Sequence, residues 1–206
     1  MLKPQDVVLL LKIVARGPEP WSYSQLAWEL GMSASEVHAG VRRSVDAGLL
    51  RVDEGWGIPD AQALDELLVH GVRYVWAAAR GGLVSGTPTG AAAAPLVGAL
   101  PASQDPPAVW PDPQGETRGI ALEPLYRSVP TAARRDPVLY ELLVLVDAIR
   151  AGPQRVRDVA VRQLRKRLGT SGAGVLSQIK GAARGSRAAA SSLADNHDKE
   201  KQRLHR

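Results

Sequence analysis

Between Asp6 and Arg16 the apolar residues fall at 7, 10, 11 and 14, the spacing of one helix face, and Gly17-Pro18 stops the pattern. A second helix is predicted from Tyr23 to Gly31. In WSYSQLAWELG, Ser22 caps it, Gln25 returns the hydrogen bond and Trp21 staples to Leu26. Ser33 and Glu36 repeat the capping-box pattern, and Val37, Val41 and Val45 then recur every fourth residue, which predicts a third helix packed by a valine stripe. After Gly48 the run LLRV-DEG-WGI reads as two short strands around an Asp53-Glu54-Gly55 turn, closed by Pro59. Asp60 caps a fourth helix with Leu64, Leu67 and Leu68 inward. His70-Gly71 ends it, and the alternation of VRYVW predicts a strand, so a first compact unit is expected over residues 1–76.

Residues 77–119 are rich in Gly, Ala and Pro, a composition that buries little core by itself and predicts an extended arm or interdomain linker. A short strand is expected around TRGIALEPLY. Asp136-Pro137 then opens an apolar helix, VLYELLVLVDAIR, whose wide apolar face calls for burial in a core or against a second subunit. Gly152-Pro153 separates it from RVRDVAVRQLRKRL, a helix with Val156, Val159, Ala160 and Leu164 inward and arginines outward. Residues 120–168 thus form a helical C-terminal region, a candidate for dimerisation, and 169–206 a basic flexible tail.

Three helices, the middle turn marked by Gly31, and a short hairpin occur in the order of a winged helix-turn-helix. The stretch LGMSASEVHAGVRRSVDAGLLR, from Leu30 to Arg51, resembles the recognition helix and wing approach of bacterial transcription regulators of the MarR type. The resemblance covers residues 5–60. It implies that the second helix of the pair enters a DNA major groove with its N-terminal residues and outward face. With the valines inward, the outward positions are Ser35, Glu36, His38, Ala39, Arg42 and Arg43, to which Ser33 at the cap and Arg51 on the wing are added. The arginines suit guanine edges or phosphates, and the serines suit phosphates. Bland roles stand beside these: solvated arginines, a structural cap for Ser33 and Glu36, an ordinary surface His38.

Charge modifies this picture. The net charge of +5 is unevenly spread, with six basic against eight acidic residues in 1–60, three against five in 61–120, and seventeen against eight in 121–206. The acidic wing tip, Asp53-Glu54, departs from the family pattern, so phosphate neutralisation would have to come from the C-terminal third. A helical surface of Arg155, Arg157, Arg162, Arg165, Lys166 and Arg167 is basic without an aromatic face of its own. Solvation is its plainest role, phosphate contact the next, and membrane-surface binding the last.

Little else carries chemistry. The chain has no cysteine, which removes disulfides, thiolate metal sites and cysteine nucleophiles, and makes a reducing cytoplasm the expected compartment. Neither a signal-peptide pattern nor an apolar run of bilayer length is evident. Gly81 and Gly86 stand at phosphate-loop spacing, but Thr87-Pro88 occupy the positions that need Lys and Ser or Thr. The histidines at 38, 70, 197 and 205 lack ligand spacing, and Asp65 and Glu66 point to different helix faces. No catalytic residues, cofactor or metal are expected.

The reading is therefore a mostly α (α+β) protein, an N-terminal winged helix-turn-helix followed by a helical C-terminal region. It is expected to be a non-enzymatic, sequence-specific regulator of transcription. It would bind double-stranded DNA as a homodimeric repressor in the cytoplasm, on the nucleoid when DNA-bound, with Pro137–Arg150 as a candidate interface and no membrane partner. The alternative is a winged-helix antitoxin or adaptor that binds a protein partner.

Overall fold

The computed structural model of the chain describes residues 1–53, 56–101 and 103–170. Met1–Leu168 form one compact unit, and the expected tail lies, beyond Thr170, outside the described residues. The unit mixes α and β structure, with helices predominating.

Helix α1 (Pro4–Arg16) starts earlier than its apolar pattern, because Pro4 suits a first turn and Asp6 accepts the Lys3 N–H at 2.8 Å. It is enclosed almost all round, with Val7 to Leu11 and Ile13 each no more than 1% exposed, where a single buried face was expected. Helix α2 (Tyr23–Leu30) is capped by Ser22, whose Oγ accepts the Gln25 N–H at 3.1 Å, and ends on Gly31 in the left-handed region at φ 64°. Helix α3 (Ala34–Asp46) follows. Strands β1 (Leu50–Asp53) and β2 (Trp56–Pro59) then pair antiparallel with Leu50 opposite Pro59, so the two expected strands are present, but Asp53, expected in the turn, pairs with Trp56 as the last residue of β1; residues 54–55 lie outside the described residues.

The valine stripe of α3 needs correction. Val37 and Val41 are buried, but Val45 is 41% exposed, and its place in the core is taken by Ser44, with Gly40 beside it. Two steps of four residues overshoot two helical turns by about 80°, whereas residue 44 returns to within about 20° of residue 37.

A second correction concerns VRYVW. Asp60 caps α4 (Ala61–Glu66) as expected, but the chain continues through a π-helical turn, Leu67–Gly71, into α5 (Val72–Val75). Gly71 keeps right-handed backbone angles, φ −102° and ψ −45°, so it does not stop the helix, and Val72 joins Leu64 and Leu68 in the core.

The stretch expected to be an arm or linker, 77–119, is folded. It supplies β3 (Arg80–Pro88), a 3-10 turn (Gly90–Ala92) and β4 (Ala108–Pro111), and with β5 (Thr117–Leu122) these strands close a three-stranded barrel. Strand β3 runs antiparallel to both others, and β4 runs parallel to β5. Closure brings backbone against backbone: a Cβ on Gly86 would stand 2.1 Å from the Trp110 carbonyl oxygen, and one on Gly119 2.1 Å from that of Pro107. Glycine is required there by space, not by flexibility.

Helix α6 (Val129–Arg135) leads into α7 (Pro137–Ala151) and α8 (Gln154–Leu168). Asp136 caps α7 by accepting the Val138 and Leu139 N–H groups at 2.9 and 3.0 Å. Helix α7 packs against α1, α5, α6, α8 and the 3-10 turn, and its residues from Leu142 to Arg150 are all buried within the chain. It therefore has no broad face left for a second subunit, and the expected dimer interface on Pro137–Arg150 is corrected to an internal spine. The same contacts put residues of the 1–76, 77–119 and 120–168 segments in one hydrophobic core. Inside it Asp147 accepts Trp110 Nε1–H (2.5 Å), Thr89 Oγ–H (2.9 Å) and Arg150 Nη1–H (2.6 Å). Burial pushes its carboxyl upward, against the pull of Arg150 and the two neutral donors.

The facing of α3 is testable at two neighbouring valines. Val41→Asp buries an unpaired charge and should cost on the order of 4 kcal/mol or more, whereas Val45→Asp should stay within about 0.5 kcal/mol of the parent. Chemical denaturation of both variants measures this. Equal losses at the two positions would contradict the observed roll of the helix.

Candidate nucleic-acid interface on the third helix

Helix α3 begins in a reciprocal cap. The Glu36 N–H donates to Ser33 Oγ at 3.2 Å, and Glu36 Oε2 accepts both the Ser33 N–H and its hydroxyl at 2.8 Å. The other carboxylate oxygen, Oε1, accepts the Tyr126 hydroxyl, and Arg127 lies over the Tyr126 ring, 5.6 Å from its centroid. The Tyr126 hydrogen bond, followed by those from Ser33, lowers the Glu36 carboxyl to about 2. Tyr126 is raised in turn, first by that hydrogen bond and then by burial. Glu36 was expected among the outward DNA-contact positions, and the structure instead makes it a structural anion at the helix start.

Arg43 is the second correction. Its Nε donates to Asp6 Oδ2 at 2.7 Å and its Nη2 to Oδ1 at 2.6 Å, a two-pronged ion pair with a carboxylate whose side chain is 1% exposed. That arginine holds α3 to α1 and is not presented to a ligand. A Cβ on Gly40 would lie 2.9 Å from Leu9 Cδ2, so the two helices meet closely at this crossing.

The remaining positions are presented together. Ser33, Ser35, His38 and Arg42 are exposed and Ala39 is half-buried, a stripe along the solvent side of α3, and Arg51 is exposed on β1. Neither Arg42 nor Arg51 makes a hydrogen bond or ion pair among the described residues. His38 packs on Tyr23 of α2 with ring centroids 5.1 Å apart, and Tyr23 meets Trp21 edge-on at 5.6 Å. The exposed face also carries Val45, and β1 carries Val52, 48% exposed.

Sequence reasoning missed what the chain places around this face. The loop before α6 approaches the turn between α2 and α3, where a Cβ on Gly31 would stand 3.2 Å from Ser128 Cβ. Arg135 donates to the Trp28 carbonyl and lies over that ring, 4.7 Å from its centroid. Lys12 bridges Glu29 (2.8 Å) and Asp136 (2.7 Å), tying α1, α2 and the α7 cap together. Burial works against ionisation of Asp136, but the Lys12 ammonium and the α7 N–H groups outweigh it and hold the carboxyl below its ordinary value. None of these pairs leaves a local sequence signal, since every partner is distant along the chain.

The other expected basic surface is partly committed. Arg157 donates to the Gly152 carbonyl, Arg165 pairs with Asp65 and Arg167 with Glu141, whereas Arg155, Arg162 and Lys166 are exposed. Among the described residues no cluster of side chains fits a metal ion, and no helix is long and apolar enough to cross a membrane. No family model matches the chain, and neither a curated protein nor a solved structure matches it.

The Glu36 anchor has a measurable pH signature. Its folded carboxyl titrates at about 2 against an ordinary 4.5, so its contribution is full above the higher value and is lost as the pH falls toward the lower one. Tyr126→Phe removes the largest cause and should move the Glu36 midpoint upward in a carboxyl NMR titration, with acid unfolding beginning at higher pH. A Glu36 midpoint unchanged by the substitution would contradict the assignment.

Proposed function

We propose that the protein is a non-catalytic, sequence-preferring binder of double-stranded DNA that acts as a transcription regulator, with α3 as its reading helix. The observation that supports this most is the continuous solvent stripe of Ser35, His38, Ala39 and Arg42, on a helix whose start is rigidly capped and whose end leads into the β1–β2 hairpin. The exposed Ser35 hydroxyl in the first turn suits a phosphate, and the exposed Arg42 about two turns later suits a guanine edge. Arg51 on the hairpin suits the flanking backbone.

A protein partner is the second reading. Val45 and Val52 are both more than 40% exposed, and the stripe between Ser33 and Arg51 carries few cations, which favours an adaptor or antitoxin-like contact over a purely electrostatic one. Association into a homodimer, as operator symmetry would call for, requires a surface other than α7.

The two neighbouring arginines separate the roles. Arg42→Ala should leave thermal stability near the parent's and weaken binding to a selected duplex by about 1–3 kcal/mol, the scale of a lost bidentate base contact. Arg43→Ala strands the buried Asp6 carboxylate and should cost about 3–5 kcal/mol of stability. Electrophoretic or anisotropy binding curves alongside melts measure both. Parental binding should also weaken steeply between low and physiological salt. Unchanged duplex affinity in a folded Arg42→Ala protein, or salt-independent binding, would overturn the DNA reading.

A further inference from the structure

Away from α3, the helix formed by α4, the π turn and α5 faces α8 across an open cavity of about 480 Å3. Its walls are strongly cationic. The charge comes from Arg73 on one side and Arg157, Arg162 and Arg165 on the other, with Asp158 the one carboxylate among the lining residues. On α8 the lining positions fall three and four residues apart, so they form a single helical stripe. On the opposite wall the π turn lies immediately before Arg73 and Tyr74, and such turns are uncommon in helices and concentrate at functional sites.

The cations differ in their commitments. Arg165 is held by Asp65, with Nε 3.0 Å from Oδ1, and Arg157 is held by the Gly152 carbonyl at 2.9 Å. These contacts fix two guanidinium groups in place at the groove. Arg73 and Arg162 make no hydrogen bond or ion pair among the described residues. Tyr74 also lines the groove and is 75% exposed, with the Arg73 guanidinium 5.1 Å from its ring centroid. An aromatic ring that Arg73 overlies and that is otherwise largely exposed, beside further arginines, offers two different contacts, a flat apolar surface and a set of planar donors shaped for phosphate.

We propose that this groove binds a nucleotide, with the base stacked on Tyr74 and the phosphate held among Arg73, Arg157 and Arg162. The charge alone would equally attract the carboxylates of an acidic protein. The exposed ring is what favours a nucleotide, because stacking on an aromatic side chain beside a positive groove is how nucleic-acid bases are held without sequence readout. The ligand's phosphate belongs either to a free nucleotide or to a single strand. The site uses no residue of α3, so it stands or falls separately from the duplex-binding reading.

Calorimetric titration of the full chain with ADP, and separately with the dodecamer dT12, tests the proposal. The variants are Arg73→Glu/Arg162→Glu, the milder Arg73→Ser/Arg162→Ser, Tyr74→Ala and Arg42→Ala, with melts recorded to establish folding. The rest of the chain is common to all of them, so a difference between variants reports the groove. Charge reversal should raise the Kd of at least one ligand tenfold or more, and the serine pair should raise it in the same direction. Tyr74→Ala should weaken the same ligand, and Arg42→Ala should leave it unchanged. A response confined to ADP identifies a free nucleotide as the ligand, and one confined to dT12 identifies a strand; either supports the site. Parental affinities for both ligands in the folded serine pair would overturn it. So would insensitivity to Tyr74→Ala with poly-glutamate competing as well as the nucleotide, which would assign the groove to an acidic protein.

Discussion

The orientation of α3, and with it every residue the protein can present from that helix, depends on one buried carboxylate. Asp6 accepts the Lys3 N–H at the start of α1 and two guanidinium donors from Arg43 on α3. Rolling α3 by a single position would leave this charge desolvated and unpaired, one of the costlier defects a core can contain. Gly40 reinforces the constraint, since any side chain there would press on Leu9 and on Asp6 itself. The helix is thus locked by an ion pair on one flank and by contact distance at its centre, and the outward stripe follows from that lock.

A second level of organisation comes from α7. Its N-terminus is capped by Asp136, the same residue that Lys12 ties to Glu29, and its middle carries Asp147, to which the barrel attaches through Trp110 and Thr89. Each carboxyl joins partners on its own helix to partners from distant parts of the chain, a pattern that favours a single arrangement over slipped alternatives. Helix α3, the hairpin and the basic groove are consequently borne by one compact unit with a shared core.

Much of this was legible in the sequence where the signal is local. The Ser33 capping box, the Ser22 cap without its expected Gln25 return bond, the Gly31 turn, the two hairpin strands and the Asp136-Pro137 helix start each depend on residues within a few positions of one another, and each is present. Legibility fails where a distant partner decides. Val45 looked equivalent to Val41 until the helical period was followed for two full turns. VRYVW alternates like a strand, but Gly71 before it keeps right-handed backbone angles and the helix runs on through it. The Gly/Ala/Pro-rich stretch carries few large apolar residues, yet Leu96 and Trp110 reach the core, and Gly86 and Gly119 are small for a reason that only the closed barrel reveals. For the candidate site the same division holds. The outward placement of Ser35, His38, Ala39 and Arg42 followed from periodicity, while the ties of Arg43 and Glu36 could not be read because Asp6 and Tyr126 lie 37 and 90 residues away.

The central claim is that the outward stripe of α3 lies against duplex DNA. Photo-crosslinking from a benzoylphenylalanine placed at Ser35 tests it most directly, with a second protein carrying the same group at Leu83 on the barrel as reference, both positions being exposed. Irradiation with a pool of random-sequence duplexes at low salt should give covalent protein–DNA adducts from position 35 and few or none from position 83. Equal yields from the two sites, or adducts from position 83 alone, would contradict the account.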